Sequence, residues 1–211
     1  MNINLEYIFP TPFWNINITN ELKEYDINLE DIIKECWKIK EQDLGRNISN
    51  VGKASYQSHD INLFESPKSC FFKMATIINN ISQSVYESTW QGFVEVDNAW
   101  ININKKNGQN RVHNHQATLS GCLYLQVPEK SGDFVVVNNP NESYIYRSYG
   151  QLHVDSNNLP IYPEHAAQEL FYKPKDGDLY IFPSHLLHYV QPNETDNERI
   201  SIAFNCLKTW K

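Results

Sequence analysis

Histidine spacing raises the first chemical question. His113 and His115 stand in Arg111-Val112-His113-Asn114-His115. On a β-strand, positions i and i+2 project from the same face, so this spacing aims two imidazoles into one space. More histidines follow in Phe182-Pro183-Ser184-His185-Leu186-Leu187-His188-Tyr189-Val190, on what reads as a later loop, where either His185 or His188 could complete a set. Neutral imidazole is a common ligand of iron, copper, nickel and zinc, and three of them leave open positions on an octahedral ion. Beyond them comes Arg199-Ile200-Ser201-Ile202-Ala203-Phe204-Asn205. Strand alternation puts Arg199, Ser201, Ala203 and Asn205 on one face and Ile200, Ile202 and Phe204 on the other. An arginine heading the small-residue face is costly to bury unless an anion meets it. Each feature alone also fits a plain structural role, the H-x-H pair as two hydrogen-bonded histidines and the arginine as a solvated edge residue. Together they suit a metal centre that takes an anionic ligand.

Such a centre needs a rigid frame, and the sequence from about residue 92 supplies one. Short β-type runs separated by turn residues recur there: Phe93–Val96, Trp100–Asn104, Arg111–His115, Leu119–Val127, Phe134–Val137, Ser143–Tyr146, Glu169–Tyr172, Asp178–Phe182 and Arg199–Asn205. Asn107-Gly108, Ser131-Gly132-Asp133 and Lys175-Asp176-Gly177 supply turns. Two amphipathic helices precede these strands. One is capped by Asn28 and carries Leu29, Ile32, Ile33, Cys36 and Trp37. The other starts at Ser66-Pro67 and carries Phe71, Met74, Ile78, Ile81 and Val85 at helical spacing. The expected architecture is mainly β with N-terminal helices, a double-sheet jelly roll in a single domain of residues 1–211, with 1–91 as helical buttress and 92–211 as jelly-roll core.

Composition narrows the function classes. The chain has 211 residues, 41% of them hydrophobic, enough for a real core. Its 18 basic and 25 acidic residues give a net charge of −7, which disfavours nucleic acid and anionic lipid as partners. No apolar run reaches membrane-span length, and the N-terminus lacks the basic and apolar regions of a signal peptide. Cys36, Cys70, Cys122 and Cys206 stand far apart and read as reduced thiols in a cytoplasmic protein.

The chain resembles the iron(II)/2-oxoglutarate-dependent oxygenase superfamily, and within it the oxygenases of marine bacteria and their phages. The resemblance runs from Ile8-Phe9-Pro10-Thr11-Pro12 through Trp100-Ile101-Asn102, the H-x-H strand and Ser120-Gly121-Cys122-Leu123-Tyr124-Leu125. It continues through Gly177-Asp178-Leu179-Tyr180-Ile181-Phe182-Pro183-Ser184 to Glu198-Arg199-Ile200-Ser201. It implies a double-stranded β-helix, with Fe(II) held by His113, His115 and His188 and 2-oxoglutarate as cosubstrate. His188 is preferred over His185 because His188-Tyr189-Val190-Gln191-Pro192 is the pattern that matches. Arg199 falls where the family pairs with the far carboxylate of 2-oxoglutarate, through the two-pronged face of its guanidinium. Ser201 and Tyr124 fall where it is hydrogen-bonded, and Asn102 lines the pocket.

One departure stands out. Most of the superfamily has H-x-D or H-x-E, and this chain has His115 in the carboxylate position. Fe(II) with a carboxylate and dianionic 2-oxoglutarate carries one net negative charge, and three neutral imidazoles make the sum neutral. A filled ligand position leaves no vacancy for a halide and argues against a halogenase. Two rivals stay open: a three-histidine cupin-type thiol dioxygenase, which has no need of Arg199, and a non-enzymatic jelly-roll binding protein. Asp133 reads as a turn residue, Cys122 as a small packed residue, and His59, His153 and His165 as surface residues. The substrate, small molecule or protein, is not specified, and a homodimer stays open.

Overall fold

The computed structural model describes residues 11–46, 53–138, 153–154, 160–161 and 169–209. A short helix, α1 (Thr19–Glu24), precedes α2 (Leu29–Gln42), which begins as its sequence implies: the Asn28 side chain accepts a hydrogen bond from the Asp31 N–H at 2.9 Å. The next helix starts later than Ser66-Pro67 suggests. α3 spans Cys70–Glu87, and its cap is Ser69, whose hydroxyl accepts from the Phe72 N–H at 3.0 Å. Ser66 instead makes the preceding turn, its carbonyl accepting from both the N–H and the hydroxyl of Ser69.

An antiparallel six-stranded sheet runs in the order β1 (Trp14–Asn17), β10 (Asp178–Pro183), β5 (Leu119–Gln126), β12 (Arg199–Thr209), β3 (Phe93–Asn104) and β2 (Ser55–Gln57). A four-stranded sheet runs β4 (Asn110–His113), β11 (His188–Val190), β6 (Phe134–Val137) and β9 (Glu169–Tyr172). β7 (His153–Val154) pairs with β8 (Pro160–Ile161). The expected jelly roll is present, with three refinements. The runs Phe93–Val96 and Trp100–Asn104 are one continuous strand, β3. β1 and β2, too short for alternation to announce, extend the major sheet at both edges. His188–Val190 is a strand and not a loop. The run expected at Ser143–Tyr146, the opening Ile8-Phe9-Pro10, His165, and the side chain of His153 lie outside the described residues.

Alternation gives the major sheet two faces. Ile101, Ile103, Leu123, Leu125, Leu179, Ile181, Ile200, Ile202 and Phe204 pack with Ile32 and Cys36 of α2 and with Met74, Ala75 and Ile78 of α3 in one core. The helix layer is also pinned by side chains: Asn79 and Gln83 of α3 accept hydrogen bonds from the Val96 and Val94 N–H groups. On the opposite face Tyr124, Tyr180 and Phe182 meet Phe134 and Val136 of the minor sheet. Gly121, paired with Phe204 across β5 and β12, is required on the helix-facing side, because a Cβ would lie 2.3 Å from the Phe204 ring and 2.6 Å from the Tyr180 carbonyl.

Candidate functional site

Between the sheets lies a small cavity of about 40 Å³ whose walls include Trp100, Asn102, His113, His115, Cys122, Tyr124, His188, Arg199 and Ser201. Strand pairing brings the histidines together from distant parts of the chain. His113 and His188 are direct partners across β4 and β11, and their rings are 4.3 Å apart. His115 lies past the end of β4, so alternation does not place it. Its N–H donates to the Ser184 carbonyl at 2.8 Å, which fixes the chain as it leaves the strand. Its ring then sits 5.0 Å from His113, 5.2 Å from His188 and 5.5 Å from Trp100. One nitrogen from each of the three imidazoles lies within 4.8 Å of the others.

Main-chain carbonyls decide which nitrogens are free. His113 Nδ1 is 2.7 Å from the Arg111 carbonyl and His188 Nδ1 is 2.8 Å from the Leu186 carbonyl. A carbonyl only accepts, so in both rings Nδ1 carries the proton and Nε2 keeps its lone pair. Phe134 and Phe182 pack on the His188 ring at 5.3 and 4.8 Å. Burial pushes His188 down to about 3, with the neighbouring His113 adding to it. Burial and His113 lower His115 to about 4, and burial lowers His113 as well. All three are therefore neutral near pH 7, as a divalent cation requires of its ligands. His185 is exposed and outside this cluster.

Arg199 is buried, with 1% of its surface exposed, at the opposite end of the cavity. Its Nη1 donates to the carbonyls of Ser131, of Gly132 (3.4 Å) and of Gln191 (3.2 Å). A positive φ at Gly132 makes that turn, where a side chain would collide with the Gln191 carbonyl. Nη1 is committed to the turn, which leaves the Nη2 edge of the guanidinium to face an anion. Among the described residues, buried Nη2 finds no hydrogen-bond partner, nor do the Tyr124 hydroxyl and the Asn102 carboxamide oxygen. Cys122, expected only to pack, lines the cavity together with Ser201 and Tyr124. Burial raises its thiol to about 11, so it stays protonated. Asp133 bonds through its main chain to Gln191 and takes no part in the histidine cluster.

Sequence reasoning passed over Asn193. It is fully buried, its Nδ2 donates to the Asn104 and Asn197 carbonyls, and its Oδ1 accepts from the N–H and hydroxyl of Thr195. This one carboxamide fastens the loop before Arg199 to β3. The only sequence signal was an asparagine in a polar turn.

The site therefore combines three neutral imidazoles, able to hold a cation, with buried donors left unsatisfied among the described residues, which suits a chelating dianion. Comparison with known proteins agrees. The structure is similar to a prolyl-4-hydroxylase from Pseudomonas putida (TM-score 0.62, 13% identity, 94% of each chain covered). It is also similar to HygX from Streptomyces hygroscopicus with nickel and 2-oxoglutarate bound (0.57, 13% identity, covering 95% of this chain and 84% of that one). A third is a viral collagen prolyl hydroxylase from Paramecium Bursaria Chlorella virus-1 in its 2OG complex (0.56, 13% identity, 92% and 94% covered). At such identities the likeness concerns the fold. A comparison with curated protein sequences returns no match. A 2OG-Fe(II) oxygenase family model, however, matches residues 98–205, just over half of the chain and every residue that lines the cavity. The chain belongs to the 2OG-Fe(II) oxygenase family: it is an oxidoreductase whose cofactor is Fe(II) and whose cosubstrate is 2-oxoglutarate.

Proposed function

We propose that His113, His115 and His188 hold the Fe(II), that Arg199, Tyr124, Ser201 and Asn102 receive the far carboxylate of 2-oxoglutarate, and that the enzyme hydroxylates its substrate. When bound, Fe(II) and 2-oxoglutarate supply O₂ activation coupled to release of CO₂ and succinate. The observation that carries the reading is a single cavity with clustered lone pairs at one end and unsatisfied buried donors at the other. The Arg111 and Leu186 carbonyls hold two of the imidazoles in the ligating tautomer. Arg199 Nη2 and the Tyr124 hydroxyl would each give one charge-assisted hydrogen bond to a carboxylate. Phe134, Phe182 and Trp100 keep the interior dry. A thiol dioxygenase would leave Arg199 and Tyr124 buried without purpose, so the oxygenase reading is preferred.

Residues 1–211 are read as one oxygenase domain. Four free thiols suit a reducing cytoplasm, and an acidic net charge suits a small-molecule or protein substrate better than nucleic acid. Among the described residues no helix is long and apolar enough to cross a membrane. The motifs are those of the marine bacterial and phage oxygenases. Equilibrium dialysis against Fe(II) under argon tests the metal assignment: His113→Ala and His188→Ala each lose stoichiometric iron while still unfolding cooperatively. His115→Asp, which restores the commoner carboxylate, keeps iron with altered affinity. Wild-type iron binding in both alanine variants would refute the ligand set.

A further inference from the structure

β12 measures the length of the cavity. Arg199 pairs with Asn104, and Ala203 pairs with Trp100. At about 3.3 Å per residue these levels lie roughly 13 Å apart. If the Arg199 end takes the cosubstrate, the Trp100 end, beside His115, is left for the substrate. Beyond that end runs a chain of hydrogen-bonded polar side chains. Ser120 Oγ lies 3.0 Å from Ser184 Oγ and donates to the Asn205 carboxamide oxygen at 2.8 Å, and Asn205 donates to Asn98 at 3.0 Å. Asn98 donates in turn to Asp60 Oδ2 at 3.3 Å, and Asp60 Oδ1 accepts from Arg46 Nη2 at 2.5 Å.

Register places Arg46 on the cavity face. Arg46 pairs with Gln57, Gln57 with Asn102, Asn102 with Ser201 and Ser201 with Tyr124. Directly opposed residues share a face, and three members of this row line the cavity. Arg46 is the outermost member. From the sheet edge its side chain turns toward the substrate end: Cζ lies 5.6 Å from the centroid of the Trp100 ring. Its side chain is 23% exposed and that of Asp60 is 47% exposed. Among the described residues Arg46 Nε finds no hydrogen-bond partner, so the ion pair does not saturate the guanidinium.

We propose that Arg46 anchors the substrate, and that the substrate of this oxygenase carries a carboxylate which Arg46 binds at the mouth of the cavity; the inference rests on the function proposed above. A guanidinium is the side chain best shaped to meet a carboxylate. Asp60 holds it against Trp100 and offsets its charge, so a monoanionic carboxylate is favoured over a phosphate dianion, which Asp60 repels more strongly. The test uses para-fluorobenzoate, para-fluorobenzamide and para-fluorophenyl phosphate, followed by fluorine NMR. Each is titrated into the Fe(II)·2-oxoglutarate form under argon, with the visible charge-transfer band recorded in the same sample. The acid binds the wild type saturably and more tightly than the amide or the phosphate ester. Arg46→Met weakens the acid about tenfold and leaves the amide unchanged, and Arg46→Lys, which keeps the charge, lies between. Both variants keep the band. Absence of saturable acid binding, equal or tighter binding of the amide or phosphate ester, or indifference to Arg46→Met overturns the inference while leaving the cosubstrate assignment standing. A wild type without the band brings down that assignment, and the inference with it.

Discussion

The same strands of the major sheet build two faces that differ in kind. Toward the helices, Ile101, Leu123, Ile181, Ile200 and Ile202 have no exposed surface and carry no polar side-chain atom. Toward the minor sheet, the alternate positions carry Asn102, Asn104, Tyr124, Arg199 and Ser201, all buried, with several polar atoms unsatisfied. Buried apolar surface stabilises the fold, and buried orphan donors oppose it. One residue of register separates them, so the strands devote half of their side chains to holding the sheet and half to a site that the bare protein tolerates at a cost.

Substitutions on the two faces should therefore differ in what they damage. Ile202→Ala, on the helix face, should cost about 2–5 kcal/mol in urea unfolding of the metal-free protein. Its neighbour Ser201→Ala, on the cavity face, should cost about 1 kcal/mol at most, yet weaken 2-oxoglutarate. Equal losses of stability would erase the distinction.

Acid should also act on one face alone. His188 and His115 are held at about 3 and about 4, below the ordinary 6.5. Between those values and 6.5 the unfolded chain binds protons that the folded chain does not. Stability of the metal-free protein is thus full above pH 6.5 and falls as the pH drops toward 4. His188→Gln should flatten that slope, and Ile202→Ala should lower the whole curve without changing its shape. Unfolding free energies across this pH range decide the matter. The smallest effect belongs to the helix layer: Asn28→Ala removes the cap of α2, costs about 1 kcal/mol in the same urea assay and leaves 2-oxoglutarate binding untouched.

Much of this contrast can be read from alternation. Arg199-Ile200-Ser201-Ile202-Ala203-Phe204 announces its two faces residue by residue, and Asn28 announces its helix, because both signals are local. What sequence missed depends on partners far along the chain. Arg199 Nη1 is held by a turn 67 and 68 residues upstream, a partner that no local spacing announces. His115 is placed by the Ser184 carbonyl and not by its strand, and β2 exists through pairing with β3 across a whole helix. Ser69 displaced Ser66 as a cap because Ser66-Pro67 forms a turn of its own, a competition among adjacent serines that spacing alone does not settle.

The central claim is that the orphan donors beside Arg199 await the far carboxylate of 2-oxoglutarate while the three histidines hold iron. Anaerobic titration of 2-oxoglutarate into the Fe(II)-loaded protein, read by the visible charge-transfer band, tests it most directly. The wild type should develop the band saturably. Arg199→Ala should keep its iron and lose about 2–5 kcal/mol of cosubstrate binding, roughly 30- to several-thousand-fold in affinity, with Arg199→Lys recovering part of it. An iron-loaded wild type that shows no band, or an Arg199→Ala variant that binds 2-oxoglutarate as tightly as the wild type, would contradict the account.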